Sequence, residues 1–156
     1  MNGQAKLQPG DVMALALEDA REAAAKGEVP VGAVVVDGGT GRIVARAGNA
    51  VETPPDPTGH AEIRALRQAA RDLGEARLTD CDLYVTLEPC TMCAGAIAHA
   101  RIRRLYFGAY DPKGGGVEHG ARVFEQKTCH HKPEVIGGLM ETEASDLLQS
   151  FFMDKR

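Results

Sequence analysis

The feature that most constrains the fold is an alternation of strand-like and helix-like segments that follows a predicted β-hairpin. Residues 31–36 contain four valines in a short run, which is typical of a buried strand. The turn-forming residues 37–41 separate this run from a second strand at 42–47, so the pair predicts a hairpin. Helical and strand patterns then alternate, which predicts a three-layer α/β/α fold around a mixed central sheet.

The other elements follow from apolar spacing and from helix start and stop residues. The first helix is predicted at residues 11–26, where Asp11 opens it and Gly27 ends it. The remaining predicted elements are helices at 60–73, 91–100 and 141–154, and strands at 82–87 and 104–108. Residues 49–59 contain three prolines and predict a stiff loop, whereas the glycines at 114–116 predict a loose one.

Length and charge limit the classes of function. A chain of 156 residues favours one domain, with residues 1–10 expected to form a flexible N-terminal segment. No signal-peptide pattern and no long apolar run is present, so we expect a cytoplasmic protein without a membrane span. A net charge of −4 excludes an overall basic field for nucleic acid. Local RNA contacts would come from Arg101, Arg103, Arg104, Lys113, Arg122 and Lys127.

Two short segments carry the chemistry, His60-Ala61-Glu62 and Pro89-Cys90-Thr91-Met92-Cys93. Each lies where a helix is predicted to begin, and cysteines three residues apart share one helix face. Helix N-termini also favour the thiolate form that binds metal. With His60 as the third ligand, a zinc ion keeps a fourth position open to water, as catalytic zinc sites do. Glu62 would face that position and carry protons, so the sequence predicts one catalytic zinc per chain.

The two cysteines also allow other interpretations. A C-x-x-C spacing alone also fits a redox pair or a structural zinc site. A redox pair leaves His60 and Glu62 without a role, and a closed structural site needs a fourth ligand. Cys81 is expected at the far end of the sheet, which disfavours it as that ligand. No role is assigned to Cys81, Cys129, His130 or His131. A non-catalytic zinc-binding module is an alternative to an enzyme for the whole chain.

The order H-x-E…P-C-x-x-C is the signature of zinc nucleobase deaminases. Through residues 28–33, 56–62 and 83–95 the chain resembles the TadA-like tRNA adenosine deaminase family of the cytidine and deoxycytidylate deaminase superfamily. The resemblance implies a cytidine-deaminase-like fold, a homodimer, Glu62 as proton shuttle, Asn49 as a purine contact and Asp111 near the ribose. Asn49 and Asp111 are also residues that commonly serve turns.

The resemblance also implies a reaction, the conversion of adenosine to inosine at the wobble position of a tRNA anticodon loop. The base would be presented unpaired or flipped out of its stack. A deaminase of a free base or nucleoside, such as guanine or cytosine, is the alternative, and the acidic net charge favours it slightly. Residues 114–122 depart from the Gly-Ser-containing loop familiar in the family, and this segment is expected to lie beside a bound nucleic acid.

Overall fold

In the computed structural model, which describes residues 7–154, strands and helices alternate after an antiparallel hairpin. The helices are α1 (Pro9–Ala25), α2 (Ala61–Leu73), α3 (Thr91–Ala100) and α4 (Glu141–Asp154). The strands are β1 (Gly32–Asp37), β2 (Ile43–Gly48), β3 (Cys81–Leu87), β4 (Arg104–Ala109) and β5 (Glu134–Ile136). Each predicted element is present, with its ends within two residues of the predicted ones.

The structure differs from the prediction at the start of α1 and at β5. Helix α1 begins at Pro9 rather than at Asp11, because proline fits the first helical position and the Asp11 carboxylate accepts the Gln8 N–H at 2.9 Å. Residues 7–10 of the predicted flexible segment therefore include the start of a helix, and residues 1–6 lie outside the described residues. The prediction also missed β5, whose three residues are too few to show an alternating pattern.

The sheet has the strand order β2-β1-β3-β4-β5. Strand β1 is antiparallel to both of its neighbours, whereas β3, β4 and β5 run parallel, so the predicted mixed sheet is confirmed. Gly32 at the start of β1 lies opposite Gly48 at the end of β2, and Leu87 at the end of β3 lies opposite Ala109 at the end of β4. The loops that follow β2, β3 and β4 consequently meet at one edge of the sheet.

Helices cover both faces of the sheet. Ala33 and Val35 of β1 pack in a cluster with α2 and α3, whereas Val34 and Val36 pack with α1 on the opposite face. Helix α4 lies on the α1 side, where Ala144 joins a third apolar cluster. Strands buried on both faces carry nearly continuous apolar residues, and this explains the valine run that predicted β1. The three-layer α/β/α arrangement is therefore confirmed. Within residues 7–154, the helices are too short or too polar to cross a membrane.

Candidate metal centre and active site

Two helices begin at the sheet edge where the loops meet, and they bring together the predicted metal ligands. His60 immediately precedes α2 and Cys90 immediately precedes α3, both with extended backbone. Cys93 lies one turn into α3 and is fully buried. The Nδ1 atom of His60 is 3.6 Å from Cys90 Sγ and 3.5 Å from Cys93 Sγ. The three residues predicted as ligands thus converge, although ligation itself stays a prediction.

The separations of these atoms fit a tetrahedral zinc ion. With Zn–N near 2.0–2.1 Å and Zn–S near 2.3 Å, a tetrahedral angle places nitrogen and sulfur about 3.6 Å apart. Within the described part of the chain, the group of metal-type side chains contains only His60, Cys90 and Cys93. Cys81 pairs with Asp37 at the opposite end of β3, as expected. The donor set therefore suits zinc and leaves room for a fourth, non-protein ligand.

Glu62 lies in the first turn of α2, beside this group, and only 4% of its surface is exposed. Burial, reinforced by the negative charge of Cys90, raises the pKa of Glu62 to about 7. Hydrogen bonding between the two cysteines lowers the pKa of Cys90 to about 5 and raises that of Cys93. A carboxyl group that titrates near neutral pH is suited to both accepting and releasing protons.

Asn49 lies in the loop after β2 and is held by the start of α2. Its Oδ1 atom accepts the backbone N–H of Ala61 at 3.0 Å. Because a backbone N–H can only donate, this bond fixes which side of the amide is oxygen and directs the NH₂ group away as a donor. The buried carboxylate of Glu28 anchors the same loop by accepting the N–H groups of Val51 at 2.8 Å and Glu52 at 3.0 Å. Sequence reasoning missed Glu28.

Asp111 follows β4, next to the segment that joins β3 to α3. Its backbone N–H donates to Glu88 Oε1 at 3.0 Å, and its own Oδ1 accepts the N–H of Gly114 at 2.9 Å. The side chain therefore caps a turn, as one interpretation of the sequence expected, and its predicted contact with a ribose stays a prediction. Glu88 itself was missed, although a glutamate that ends an apolar strand directly before Pro-Cys was a visible signal.

Comparison with known proteins identifies the family of this site. The model of the MafB19-like deaminases matches residues 8–156. A tRNA-specific adenosine deaminase of Agrobacterium fabrum is 57% identical over 92% of this chain and 93% of the relative. The chain belongs to the family of MafB19-like deaminases. The predicted resemblance to tRNA adenosine deaminases is thereby confirmed.

Solved structures support the fold of this deaminase. A tRNA:A34 deaminase acting at the wobble position of transfer RNA is 57% identical and superposes with a TM-score of 0.85, covering 87% of this chain and 97% of its own. A guanine deaminase from Nitrosomonas europaea is 25% identical and superposes with a TM-score of 0.81, covering 96% and 88%. The predicted cytidine-deaminase-like fold is confirmed, and both kinds of substrate occur among its relatives.

The segment that we call the rim loop (residues 111–119) was predicted to be loose at its glycines, and this prediction is wrong. Gly115 and Gly116 are buried, and the Gly116 N–H donates to the Pro89 carbonyl at 2.8 Å. A Cβ atom added at Gly115 would collide with the Glu88 carboxylate, and one at Gly116 would lie 2.6 Å from the Thr91 nitrogen. These glycines therefore permit close packing of two backbones rather than freedom of movement.

Beyond the rim loop, a groove of about 730 Å³ runs along the deaminase between β4 and α4. Among the residues that line it are Leu87, Tyr110, Asp111, Lys113 and Phe152. Three of the basic residues predicted as RNA contacts form ion pairs with carboxylates. The pairs are Arg103 with Asp82 at 2.8 Å, Arg104 with Glu134 at 2.9 Å and Arg122 with Glu125 at 3.6 Å. Lys113, by contrast, lines the groove.

Proposed function

We propose that this deaminase holds one zinc ion per chain and converts adenosine to inosine at the wobble position of a tRNA anticodon loop. The observation that carries the proposal is the convergence of His60, Cys90 and Cys93 at zinc-like separations beside the buried Glu62. The relatives named as tRNA-specific adenosine deaminases support the choice of substrate. Each of the four cysteines is free of a disulfide bond, which fits a cytoplasmic enzyme.

His60, Cys90 and Cys93 would hold the ion, with two thiolates balancing its charge. When bound, zinc lowers the pKa of water towards about 7 and so supplies hydroxide near neutral pH. Three protein donors would leave the fourth position of the ion to water, and Glu62, buried beside the group, would face that position. A structural site closed by a fourth cysteine or histidine is disfavoured within residues 7–154, because none joins the group.

Glu62 would carry protons through the reaction. Adenosine and water give inosine and ammonia, so the attacking water must lose its protons and the leaving amine must gain one. The buried carboxyl group of Glu62 would accept one proton from water and deliver it to the ring nitrogen, and would then take the second proton from the added hydroxyl group and pass it to the departing amine. Positioned proton transfer of this kind contributes about 10²–10⁴-fold to the rate.

Asn49 and Asp111 would bind the target nucleotide. The NH₂ group of Asn49, directed by the bond between its oxygen and Ala61, is a donor for a ring nitrogen of the purine. Asp111 lies in the groove, where it would approach the ribose. The base must be unpaired or flipped out to reach the pocket, and an anticodon loop presents such a base without the cost of opening a duplex.

We propose further that the enzyme is a homodimer. The small residues of α3 lie on two sides of the helix: Ala94 and Ala98 pack into the core of their own chain, whereas Gly95 and Ala96 are only partly buried. An added Cβ at Gly95 would meet no atom within 4 Å, so the outer side of α3 is open to a partner. Sedimentation should give twice the chain mass, and a mass of 16.6 kDa at micromolar concentration would reject the dimer.

The substrate is tested by measuring ammonia release from tRNA, an anticodon stem-loop, adenosine, cytidine, guanine and cytosine in parallel. We expect release only from the two RNA substrates, with inosine as product. RNA affinity should fall with salt, with a log–log slope near −0.7 for each phosphate neutralised. Rapid, salt-insensitive deamination of guanine or cytosine without any reaction of the stem-loop would reject tRNA and support the alternative substrate class.

A further inference from the structure

Glu88 is a buried carboxylate outside the group that binds metal and performs proton transfer. It links β3 to the Pro-Cys segment, and its side chain has no exposed surface. An ionised carboxylate in such a place is unfavourable unless hydrogen bonds replace the lost water. The hydrogen-bond donors around the Glu88 carboxylate therefore indicate which part of the structure it stabilises.

Five donors surround this carboxylate, and all of them belong to the rim loop. Oε1 accepts the backbone N–H of Asp111 at 3.0 Å and the imidazole Nδ1–H of His119 at 2.8 Å. Oε2 accepts the backbone N–H groups of Val117 at 3.2 Å, Glu118 at 2.9 Å and His119 at 3.1 Å. An ionised carboxylate only accepts, so His119 must donate from Nδ1. One side chain thus satisfies amides at both ends of the loop.

The rim loop belongs to neither a strand nor a helix, so its backbone N–H groups need partners other than those of regular structure. Glu88 accepts those at both ends of the loop, whereas in the middle the N–H groups of Lys113 and Gly114 donate to Asp111 Oδ1 and that of Gly115 donates to the Asp111 carbonyl. Gly116 in the loop makes two further backbone hydrogen bonds. Its N–H donates to the Pro89 carbonyl, and its own carbonyl accepts the N–H of Val123, both at 2.8 Å. The loop is consequently fastened to the same short segment that leads into Cys90.

We propose that Glu88 is a positioning residue that holds the rim loop at a fixed place relative to the metal-binding cysteines, with His119 as its side-chain partner. The loop carries Asp111 and Lys113, which line the groove between β4 and α4. If the carboxylate is lost, the groove wall moves, while Glu62 and the ligand group stay in place. The expected effect on substrate binding rests on the proposed function, whereas the expected effect on the position of the rim loop does not.

The test uses full-length Glu88→Gln and His119→Ala, with two controls on exposed side chains. Glu118→Gln removes a carboxylate in the same loop but keeps its backbone donor, and His130→Ala removes an exposed imidazole. Hydrogen–deuterium exchange is followed at the amides of residues 111 and 117–119, alongside zinc content and steady-state deamination of the anticodon stem-loop. His119→Ala keeps all four backbone donors, so it tests the proposal even if Glu88→Gln does not fold.

We expect amide exchange in the rim loop to rise at least about tenfold in Glu88→Gln, as for the loss of one charge-assisted hydrogen bond, and to rise less in His119→Ala. KM for the stem-loop should rise about tenfold while kcat changes by less than about threefold, and zinc should remain at one equivalent. The controls should match the wild-type enzyme in every measurement.

Three results would overturn the proposal. The first is unchanged amide exchange in the rim loop of both a folded Glu88→Gln variant and the His119→Ala variant. The second is loss of zinc from Glu88→Gln, and the third is a fall in the kcat of Glu88→Gln at unchanged KM. The second would assign Glu88 to the metal-binding segment, and the third would assign it to the chemical step. If the wild-type enzyme deaminates no RNA, the proposed function fails, but the exchange measurement still decides whether Glu88 positions the loop.

Discussion

Replacing Glu62 by glutamine should inactivate the enzyme and at the same time stabilise its metal-free form. Glutamine has nearly the same shape as glutamate but cannot carry a proton, so kcat should fall by about 10²–10⁴-fold. Zinc should remain bound, because Glu62 lies beside the ligand group without belonging to it. The stabilisation follows from burial, because the wild-type side chain is 4% exposed and must ionise in a site poor in water.

The size of the stabilisation follows from the pKa of Glu62, which burial raises from 4.5 to about 7. A pKa raised in the folded state means that stability is fully present below the unfolded pKa and is lost as the pH rises through the folded one. Each unit corresponds to about 1.4 kcal/mol, so the metal-free wild-type protein should lose about 3 kcal/mol by pH 8.5 and less than about 1 kcal/mol by pH 5. Glutamine does not titrate, and the variant should avoid this loss.

The assay is urea unfolding of chelator-treated protein at pH 5 and pH 8.5, beside rates of inosine formation by the zinc-loaded enzymes. The advantage of Glu62→Gln over the wild-type protein should grow by about 2–3 kcal/mol between the two pH values. Glu75→Gln, at an exposed position just beyond α2, is the matched control and should show no such growth. Near-normal turnover by Glu62→Gln would refute the proton-shuttle role, and an advantage independent of pH would refute the reasoning from burial.

Three further substitutions test the ligand set, the core and the substrate pocket. Cys90→Ser should lower zinc from about one equivalent to a small fraction, whereas Cys129→Ser should keep it; retention in Cys90→Ser by metal analysis would contradict the ligand assignment. Ile97→Ala, at a fully buried position on α3, should lower the free energy of unfolding by about 2–5 kcal/mol in urea titrations. Asn49→Ala removes both the hydrogen bond to Ala61 and the oriented NH₂ donor. Because one buried hydrogen bond corresponds to roughly a tenfold change in binding, kcat/KM for the stem-loop should fall at least about tenfold. An unchanged kcat/KM would exclude the purine contact.

The sequence predicted the architecture well because the decisive signals are local. The valine run of β1, the turn after it and the helical spacing of later segments each depend on neighbouring residues. The convergence of His60 with the cysteines was also predictable, because both motifs begin helices at a shared edge of the sheet. Strand β5 escaped prediction because its three residues become a strand only through pairing with β4.

The positioning residues escaped prediction for a different reason. Glu28 and Glu88 matter because of the loops that fold against them, and those loops are distant in sequence. A single buried glutamate gives no periodic signal and belongs to no motif that specifies its donors. The interaction between Asn49 and Ala61 is of the same kind, because it depends on how the loop after β2 returns to the start of α2.

The rim loop shows how one local rule leads to a wrong conclusion and what corrects it. Three consecutive glycines usually indicate flexibility, because glycine loses the most conformational freedom on folding. In this enzyme Gly115 and Gly116 instead lie against Glu88 and Thr91, where a side chain would not fit. The departure of residues 114–122 from the familiar Gly-Ser loop therefore does not imply a disordered groove wall. Because Glu88 accepts five hydrogen bonds from this loop, the different sequence still forms an ordered surface beside the metal centre.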